Sequence, residues 1–279
     1  ATVYQGQIVH RESIPAREAQ YGQLEKTLPA SLQNAVEALQ LYPLYGHQTE
    51  AINASLSGKN IIISTPAASG KTLCYNLAVT SCLLEQKNNR ALYLFPTKAL
   101  AQDQLKNLDD LTSAARLKVK RNTFDGDTPW AQRAEIRRSA RILFTNPDML
   151  QLAILPNHRS WMIFLSQLKY VVIDEAHAYR GVFGSHVANA IRRLRRICAR
   201  YGSNPQFICC SATIANPAEH ATNLTGLPFN AVVEDGAAFG GKEFVFWNPP
   251  LIDEAKSARR SSSSETTYLL TELVSKGIR

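Results

Sequence analysis

The 279-residue sequence has few cysteines, and no apolar run of the length that a membrane span requires. Its five cysteines show no C-x-x-C spacing, so neither a zinc site nor a thiol–disulfide site of that kind is predicted, and we expect buried, reduced thiols. No apolar run approaches the roughly 18 residues of a membrane helix, and no signal peptide is visible. These absences predict an intracellular protein outside the membrane, cytoplasmic if it is bacterial and nuclear or organellar if it is eukaryotic.

The sequence does contain enough apolar side chains for a folded core, together with an excess of positive charge. Hydrophobic residues make up 45% of the chain and charged residues 19%, as in globular proteins. The 31 lysines and arginines outnumber the 23 acidic residues, which gives a net charge of +8. A basic surface favours a polyanionic partner such as nucleic acid, although charge alone does not establish one.

Short apolar segments alternate with segments of helix length along most of the chain. Several of them, such as the YVVID that begins at Tyr170, are apolar on consecutive residues, as is typical of strands buried on both faces of a parallel sheet. The alternation predicts an α/β fold with a doubly wound, mostly parallel sheet and helices on both faces. Ligands of such folds bind beyond the carboxyl ends of the strands. The predicted strands are Asn60–Ser64, Ala91–Phe95, Lys118–Phe124, Arg141–Thr145, Tyr170–Ile173, Phe207–Cys210 and Ala231–Val233.

One predicted helix carries an apolar face and an arginine-rich face. Apolar residues recur at helical spacing from Val187 onward, and the arginines fall mainly on the opposite side. A solvated surface is the favoured interpretation of the arginines, and a nucleic-acid contact is the alternative. The apolar residues are Val187, Ile191, Leu194 and Cys198; the arginines are Arg192, Arg193, Arg196 and Arg200, with Arg195 toward their side.

The pattern of the sequence changes after Val233. The segment EDGAAFGG is loop-like, KEFVFW is a short strand candidate, and a polar stretch, SARRSSSS, precedes an amphipathic helix in ETTYLLTELVSKGIR. We therefore predict an N-terminal extension over residues 1–30 and one α/β domain over residues 31–238. Residues 239–279 would form a linker and the incomplete start of a second domain.

The stretch TPAASGKT, which begins at Thr65, has the features of a phosphate-binding loop. It joins the apolar segment NIIIS to a helical segment, and this arrangement presents backbone N–H groups and a helix N-terminus to phosphates. Gly70 permits close backbone approach, Lys71 can reach the β- and γ-phosphates, and Thr72 can place its hydroxyl on Mg²⁺. Thr65 replaces the first glycine of the usual pattern, and a positive φ at Ala68 would be strained. A chance Gly-Lys-Thr at a strand–helix turn is the alternative.

Two adjacent acids follow a predicted buried strand in the stretch YVVIDEAH. Asp174 could hold Mg²⁺ opposite Thr72, and Glu175 could orient the attacking water or accept its proton. An exposed pair of strand-end acids is the alternative, but unpaired charge at a buried strand end is costly and a phosphate loop lies upstream. The two stretches together predict a site for phosphoryl transfer, which needs mainly positioning and neutralisation of charge.

Three motifs together resemble those of a known family. TPAASGKT, DEAH and SATIANP resemble motifs I, II and III of superfamily 2 helicases of the DEAD/DEAH-box kind. Further stretches match in order: LYGHQTEAI resembles the Q-type motif, PTKALAQDQ motif Ia, DGDTP the short glycine-containing motif and TNPDML motif Ib. The resemblance covers about residues 40–235 and implies the first RecA-like lobe of such an enzyme, with ATP and Mg²⁺ as cofactors.

The resemblance implies a role for each matching residue. Gln48 would recognise the adenine edge with Tyr45 nearby, Asp174 would bind Mg²⁺ with Thr72, and Glu175 would be the catalytic base. The phosphates would be wrapped by Pro66, Ala67, Ala68, Ser69, Gly70, Lys71 and Thr72. Coupling of the nucleotide state to lobe movement would fall to His177, Ser211 and Thr213. Contact with the sugar-phosphate backbone of a strand would fall to Thr97, Lys98, Gly126, Thr145 and Asn146.

Several of these residues also have a purely structural interpretation. Gln48 could lie on the surface of its helix, and Lys98 could stand at a solvated helix start. His177 could be a structural histidine, and the hydroxyls of the SAT triplet could merely turn the chain after its strand.

Other stretches resemble a narrower group of helicases. IPAREAQYG, AYRGVFGSHVANAIRRLRRI and FWNPP are similar to MrfA/YprA-type helicases, relatives of the fungal Hrq-type enzymes. That resemblance implies a 3′-to-5′ DNA helicase acting in repair, with single-stranded DNA as partner, a second RecA-like lobe and a zinc-binding C-terminal region. Because the second lobe would supply an arginine to the transition state, this chain alone would turn ATP over weakly.

Three other functions are weighed against this one. An ATP-dependent double-strand translocase and an RNA helicase would use the same motor core, so RNA stays an alternative partner. A P-loop ATPase unrelated to nucleic acid would need its own signature, such as the SGGQ of a transporter, and the sequence contains none.

Overall fold

The computed structural model of the protein describes residues 6–253, 255 and 257–278, which form two compact units. One unit is residues 19–237, and the other joins the described residues of 1–18 to those of 238–279. Residues 1–5 of the predicted N-terminal extension, and residues 254, 256 and 279 of the predicted C-terminal segment, lie outside the described residues. The division of the chain at residues 30 and 238 into functional domains stays a prediction.

The described residues form eleven strands and ten α-helices, which mostly alternate between β2 and β8. The strands are β1 (Ile8–Ile14), β2 (Ile61–Ser64), β3 (Arg90–Leu94), β4 (Arg121–Thr123), β5 (Ile142–Thr145), β6 (Leu168–Ile173), β7 (Gln206–Ser211), β8 (Asn230–Val232), β9 (Lys242–Trp247), β10 (Leu251–Asp253) and β11 (Ala258–Arg259). The helices are α1 (Ala30–Ala38), α2 (Gly46–Leu56), α3 (Lys71–Glu85), α4 (Lys98–Ala114), α5 (Trp130–Ser139), α6 (Pro147–Met149), α7 (Met162–Ser166), α8 (Gly181–Arg200), α9 (Pro217–Thr225) and α10 (Ser262–Ser275). A π-helical turn, Leu150–Ile154, follows α6, and 3₁₀ turns lie at His158–Trp161 and Ala176–Ala178.

The larger unit is built on a seven-stranded parallel sheet in the order β4-β5-β3-β6-β7-β2-β8. This confirms the predicted α/β, doubly wound fold, and each of the seven predicted strands overlaps an observed one. Alternate residues of β3 enter different cores: Leu92 packs with α8 residues on one face, and Tyr93 packs with α3 residues on the other. Both faces of the sheet are therefore covered, which is why its strands are apolar on consecutive residues.

Helix α8 confirms the predicted apolar face and corrects the interpretation of part of its arginine face. Its four predicted apolar residues are buried. Arg192, however, donates to the carbonyl of Asn223 at 2.8 Å, and Arg195 donates to the carbonyl of Thr225 at 2.8 Å. The last carbonyls of α9 have no partner within their own helix, and the two guanidinium groups satisfy them. Only Arg196 and Arg200 lie exposed, as predicted for the whole set.

The smaller unit pairs the two ends of the chain. Strand β1 is antiparallel to β9, and β10 is antiparallel to β11. The indole N–H of Trp247 donates to the Glu265 carboxylate at 2.9 Å, and Arg260 donates to its other oxygen at 3.0 Å, so α10 is tied to β9. Both the KEFVFW strand and the C-terminal helix are confirmed, whereas β1 was not predicted. In the part of the chain that the structure describes, no helix combines the length and apolarity that crossing a membrane requires.

Candidate functional site

The candidate site residues gather at one edge of the sheet, where the parallel strands have their carboxyl ends. The phosphate loop follows β2, the acidic pair follows β6, and the SAT triplet starts at the end of β7; these three strands are neighbours in the sheet. The residues predicted to contact a nucleic-acid strand lie at the end of β5 or just after β3, β4 and β5, which are also neighbours in the sheet. We name the two parts of this edge after the ligands predicted for them: the nucleotide half lies at β2, β6 and β7, and the strand half, for a nucleic-acid strand, lies at β3, β4 and β5.

The phosphate loop closes without its first glycine. Thr65 is fully buried, and its hydroxyl shares a hydrogen bond of 2.7 Å with the hydroxyl of Ser69, which ties the two ends of the loop together. The positive φ angles fall at Ala68 (62°) and Gly70 (84°). Ala68 thus adopts the positive φ that is strained for a residue with a Cβ atom. Thr65 and Pro66 do not have a positive φ, so the loop does not require a glycine at either position.

Lys71 lies inside the loop, and α3 begins with it. Its ammonium group donates to the carbonyls of Thr65 and Pro66, each at 2.8 Å. The N–H of Leu73 donates to the Gly70 carbonyl at 3.1 Å, and the N–H groups of Lys71 and Thr72 precede it at the positive end of the α3 dipole. Lys71, the loop and α3 are therefore arranged to receive an anion.

Asp174 is a nearly buried carboxylate, 9% exposed, that stands opposite the start of α3. Its Oδ1 accepts from the N–H of Glu175 at 2.8 Å, and its Oδ2 accepts from the Tyr75 hydroxyl at 2.9 Å. Burial raises the pKa of Asp174. The two hydrogen bonds lower this pKa in part, and the positive charge of Lys71 lowers it by less than either hydrogen bond does.

This donor set fits Mg²⁺. Among the described residues no basic side chain forms an ion pair with this buried carboxylate, which therefore needs further positive charge. The Tyr75 hydroxyl also lies 3.4 Å from the Thr72 hydroxyl. Mg²⁺ is usually held by one or two protein oxygens together with phosphates and water. Asp174 and Thr72 are the residues that would hold it here.

Glu175 and His177 connect the acidic pair to the turn that follows β7. Glu175 has a left-handed backbone (φ 50°), and its carboxylate lies 3.2 Å from His177 Nδ1. The N–H of Ala212 donates to the same Nδ1 at 3.2 Å. Since one nitrogen cannot be donor and acceptor at once, a protonated Nδ1 bonds Glu175 and an unprotonated Nδ1 bonds Ala212.

The SAT triplet turns under the phosphate loop. The Ser211 hydroxyl is buried and donates to the carbonyl of Ala212 at 2.7 Å, while Thr213 is exposed. Ser64, the last residue of β2, donates to the Ala212 carbonyl at 3.1 Å and accepts from the N–H of Ile214 at 3.2 Å. The backbone of Ala212 therefore contacts Ser64 at the end of β2, Ser211 at the end of β7, and His177, which follows the acidic pair.

Gln48 lies behind the phosphate loop rather than on the helix surface, so the surface interpretation is wrong. It is 4% exposed; its Nε2 donates to the Gly70 carbonyl at 3.3 Å, and its Oε1 accepts from the N–H of Tyr45 at 3.0 Å. The adjacent His47 accepts at Nδ1 from the N–H of Gly236, so its Nε2 carries a proton and donates to the Ser69 carbonyl at 2.9 Å. Helix α2 therefore contacts the phosphate loop through two side chains, His47 and Gln48, which donate to loop carbonyls.

The strand half brings together the five residues predicted to contact nucleic acid. One small surface depression, with a volume of about 10 Å³, is lined by Thr97, Lys98, Thr145 and Asn146. A Cβ atom on Gly126 would lie 3.7 Å from Lys98 Nζ, which places the fifth residue beside them. Thr97, Lys98 and Gly126 are exposed, so their backbone and charge are open to a ligand.

The polar side chains of this depression already have protein partners. Lys98 pairs with Asp127 at 2.6 Å, and this hydrogen bond raises the pKa of the lysine. The Thr145 hydroxyl donates to the carbonyl of Phe124 at 2.6 Å, and Asn146 Oδ1 accepts from the N–H of Met149, in α6, at 2.8 Å. Thr145 thus holds the end of β4 in place, whereas Lys98 is an exposed residue at the start of α4 that also pairs with Asp127.

Residues that the sequence did not single out complete the nucleotide half. They are Ser64, His47 and above all Tyr75, whose buried hydroxyl joins Thr72 to Asp174. One signal for Tyr75 was available, because residues three apart on a helix share a face and Tyr75 follows Thr72 by three.

Comparison with known proteins agrees with this geometry. A family model for the DEAD/DEAH box helicase matches residues 45–221. The chain is 48% identical over 267 residues to the uncharacterized ATP-dependent helicase YprA of Bacillus subtilis, across 96% of this chain and 36% of that protein. It is 43% identical over 285 residues to the ATP-dependent helicase hrq1 of Schizosaccharomyces pombe, across 99% of this chain and 27% of that protein.

A solved structure is similar over nearly the whole chain. The crystal structure of the DUF1998 helicase MrfA bound to DNA and AMPPNP superposes with a TM-score of 0.93 and 47% identity, over 97% of this chain and 38% of that one. The chain spans well under half the length of each of these relatives. By the family match and these identities, the chain belongs to the DEAD/DEAH box helicases.

Proposed function

We propose that this chain is the ATP-binding motor lobe of a nucleic-acid-dependent ATPase, a 3′-to-5′ DNA helicase that acts in DNA repair. The observation that carries the proposal is the adjacency, on one sheet edge, of two groups of residues. One is an anion-receiving loop with its buried carboxylate, and the other is the group around the exposed Thr97, Lys98 and Gly126, which could contact the backbone of a nucleic-acid strand. The MrfA structure, similar over nearly the whole chain, holds DNA and AMPPNP and supports both ligands. Polarity and repair role rest on the stretches that resemble the MrfA/YprA-type helicases.

The nucleotide half would act mainly by positioning and by neutralising charge. Lys71 would exchange the carbonyls of Thr65 and Pro66 for phosphate oxygens, and the loop N–H groups would hold the remaining oxygens. Bound Mg²⁺ would neutralise charge that develops on the phosphates, with Asp174 and Thr72 as its protein ligands. Glu175, half-exposed at the loop, would orient the attacking water and accept its proton.

The adenine and coupling roles follow the same geometry. Gln48 and the ring of Tyr45 would contact the adenine; the Tyr45 ring stacks on the Tyr21 ring, with centroids 5.6 Å apart. Gln48 would exchange its hydrogen bond to the Gly70 carbonyl for one to the adenine edge. His177 would couple Glu175 to Ala212, because its Nδ1 can form a hydrogen bond with only one of them at a time. A change in the contacts of Glu175 would therefore change the hydrogen bond to Ala212. Ser211 and Thr213 would carry that change toward a second lobe.

The strand half would hold single-stranded DNA by its backbone, which positions a strand without reading its bases. Residues 31–238 would be the first RecA-like domain, and residues 239–279 the linker and start of the second. A zinc-binding region and a second lobe that supplies an arginine would lie in the remainder of a longer protein, so this chain alone should hydrolyse ATP weakly.

ATP hydrolysis by the full-length protein, measured with and without single-stranded DNA, tests the proposed function. We expect stimulation by DNA, and loss of at least about a hundredfold in rate when Glu175→Gln removes the general base. A rate that does not respond to DNA, or that survives Glu175→Gln, would reject it.

Strand displacement separates the helicase from its alternatives. Duplexes with a single 3′ or 5′ overhang should be unwound only from the 3′ overhang. ATP-dependent movement on duplex DNA without displacement would identify a double-strand translocase, and unwinding of RNA but not DNA duplexes would identify an RNA helicase.

A further inference from the structure

Tyr75 is a fully buried residue of α3 that stands between the two halves of the sheet edge. Its ring packs edge-on against the Tyr93 ring, with centroids 5.7 Å apart. Its hydroxyl lies 2.9 Å from Asp174 Oδ2, 3.4 Å from the Thr72 hydroxyl and 3.4 Å from Gln104 Oε1. A single hydroxyl thus meets side chains from α3, from the end of β6 and from α4.

The chemistry of these groups makes two of them competitors. A tyrosine hydroxyl has one proton to donate, and both a carboxylate oxygen and an amide oxygen can only accept it. In the structure the hydroxyl lies closer to Asp174 Oδ2 (2.9 Å) than to Gln104 Oε1 (3.4 Å). Burial keeps the pKa of Tyr75 well above its ordinary value, so the hydroxyl stays a donor at physiological pH.

Gln104 connects this hydroxyl to the strand half. Helix α4 begins at Lys98, is capped by the Thr97 hydroxyl, and carries Gln104 about two turns further on. Both residues at its start line the depression at the strand half. The Tyr75–Gln104 contact is therefore a direct link from the acidic carboxylate of the nucleotide half to a helix of the strand half.

We propose that Tyr75 is a positioning residue that links nucleotide binding to strand binding within this lobe, an inference that rests on the proposed function. With the site empty, its hydroxyl fixes the orientation of Asp174 for the cation. When the charge of Asp174 is shared with a cation, the carboxylate becomes a weaker acceptor, and the proton turns to Gln104 Oε1. That turn ties α3 to α4 at the strand half, and strand binding favours the same state in return.

The test measures affinity of the full-length protein for a fluorescent AMPPNP analogue, across Mg²⁺ concentrations, with and without single-stranded DNA. Tyr75→Phe keeps the ring and removes the hydroxyl. We expect it to raise the Mg²⁺ concentration for half-maximal nucleotide binding about three- to tenfold, because Asp174 is no longer held in its binding orientation and must be ordered when the cation binds. It should also bring the ratio of nucleotide affinities with and without DNA close to one.

Two further variants separate positioning from packing. Gln104→Met should reduce the DNA effect as strongly as Tyr75→Phe, and the double variant should lose no more of it. Without DNA, Gln104→Met should raise the Mg²⁺ concentration for half-maximal binding less than Tyr75→Phe does, because Asp174 keeps its bond from Tyr75. Tyr93→Phe is the matched control, because its equally buried hydroxyl donates to Asn76 Oδ1 at 3.1 Å in the same layer; it should leave both quantities unchanged.

A readout without metal completes the test. In EDTA, urea unfolding of Tyr75→Phe, Asp174→Asn and their double variant should show a coupling between the two sites, whereas Tyr93→Phe and Asp174→Asn should add. Wild-type values for Tyr75→Phe, or equal effects of Tyr75→Phe and Tyr93→Phe, would overturn the proposal. A wild type that binds nucleotide but shows no DNA effect would overturn the link. A wild type that binds no nucleotide would instead reject the proposed function itself.

Discussion

Replacing Asp174 by asparagine should stabilise the fold while it abolishes ATP hydrolysis. The carboxylate is nearly buried, and burial raises its pKa above the ordinary 3.8. A group whose folded pKa is raised contributes stability below its unfolded pKa, and that contribution is lost as the pH rises through the folded value. At neutral pH the ionised Asp174 therefore lowers the free energy of unfolding.

The magnitude follows from the contacts of the carboxylate. Burying an ion costs several kcal/mol, and the hydrogen bonds from Glu175 and Tyr75 offset about 1.5–3 kcal/mol each. Asparagine can keep the Glu175 bond at its Oδ1 and donate from Nδ2 to the Tyr75 hydroxyl, whose proton then has Gln104 Oε1 at 3.4 Å. We expect a gain of about 0.5–2 kcal/mol, or roughly 2–4 °C in Tm per kcal/mol for a unit of this size.

Thermal unfolding in EDTA without nucleotide measures this gain. Glu175→Gln is the matched control, because that carboxylate is 38% exposed, and its replacement should change stability by less than about 0.5 kcal/mol. The gain from Asp174→Asn should also shrink as the pH falls toward 3.8, where the wild-type carboxyl becomes neutral. A loss of stability in Asp174→Asn at neutral pH would refute the reasoning, since it would mean that the charged carboxylate stabilises the empty site.

Three further substitutions test other contacts. Thr65→Val removes the hydrogen bond across the phosphate loop and should weaken binding of the AMPPNP analogue about two- to tenfold, whereas Thr65→Ser should retain affinity. Arg195→Met removes the donors that cap α9 and should lower the free energy of unfolding by about 1 kcal/mol in urea, with the exposed Arg196→Met as a neutral control. Asp127→Asn removes the ion pair with Lys98 and should tighten binding of single-stranded DNA, and the plot of log affinity against log salt concentration should become steeper by about one. Asp110→Asn, on α4, removes the same charge and should have neither effect. A stable Arg195→Met, or equal effects of the two aspartate variants, would contradict these assignments.

The core of the fold was predictable because strands buried on both faces are apolar at every position. The runs NIIIS and YVVID needed no knowledge of their neighbours to be identified. The segment from Lys118 is less regular, and the structure pairs only Arg121–Thr123 with β5. Strand β1 could not be predicted, because its pairing with β9 joins distant parts of the chain, and the residues of β1 are mostly exposed.

The site was predictable where its chemistry lies along a short stretch of sequence. Lys71 and Asp174 were found by type and spacing, whereas the contacts that orient them were not. Tyr75 lies among the mostly buried residues of α3, and only the tertiary structure brings its hydroxyl to Asp174. Arg192 has the spacing of a solvated residue, yet the end of α9 lies within its reach.

Hydrogen–deuterium exchange of the full-length protein with each ligand separately tests most directly whether the sheet edge has two halves. With AMPPNP and Mg²⁺, protection should appear at residues 65–72 and 174–177. With single-stranded DNA alone, it should appear at residues 97–98, 124–127 and 145–146. Protection of the same residues by both ligands, or DNA protection outside the strand half, would contradict the arrangement.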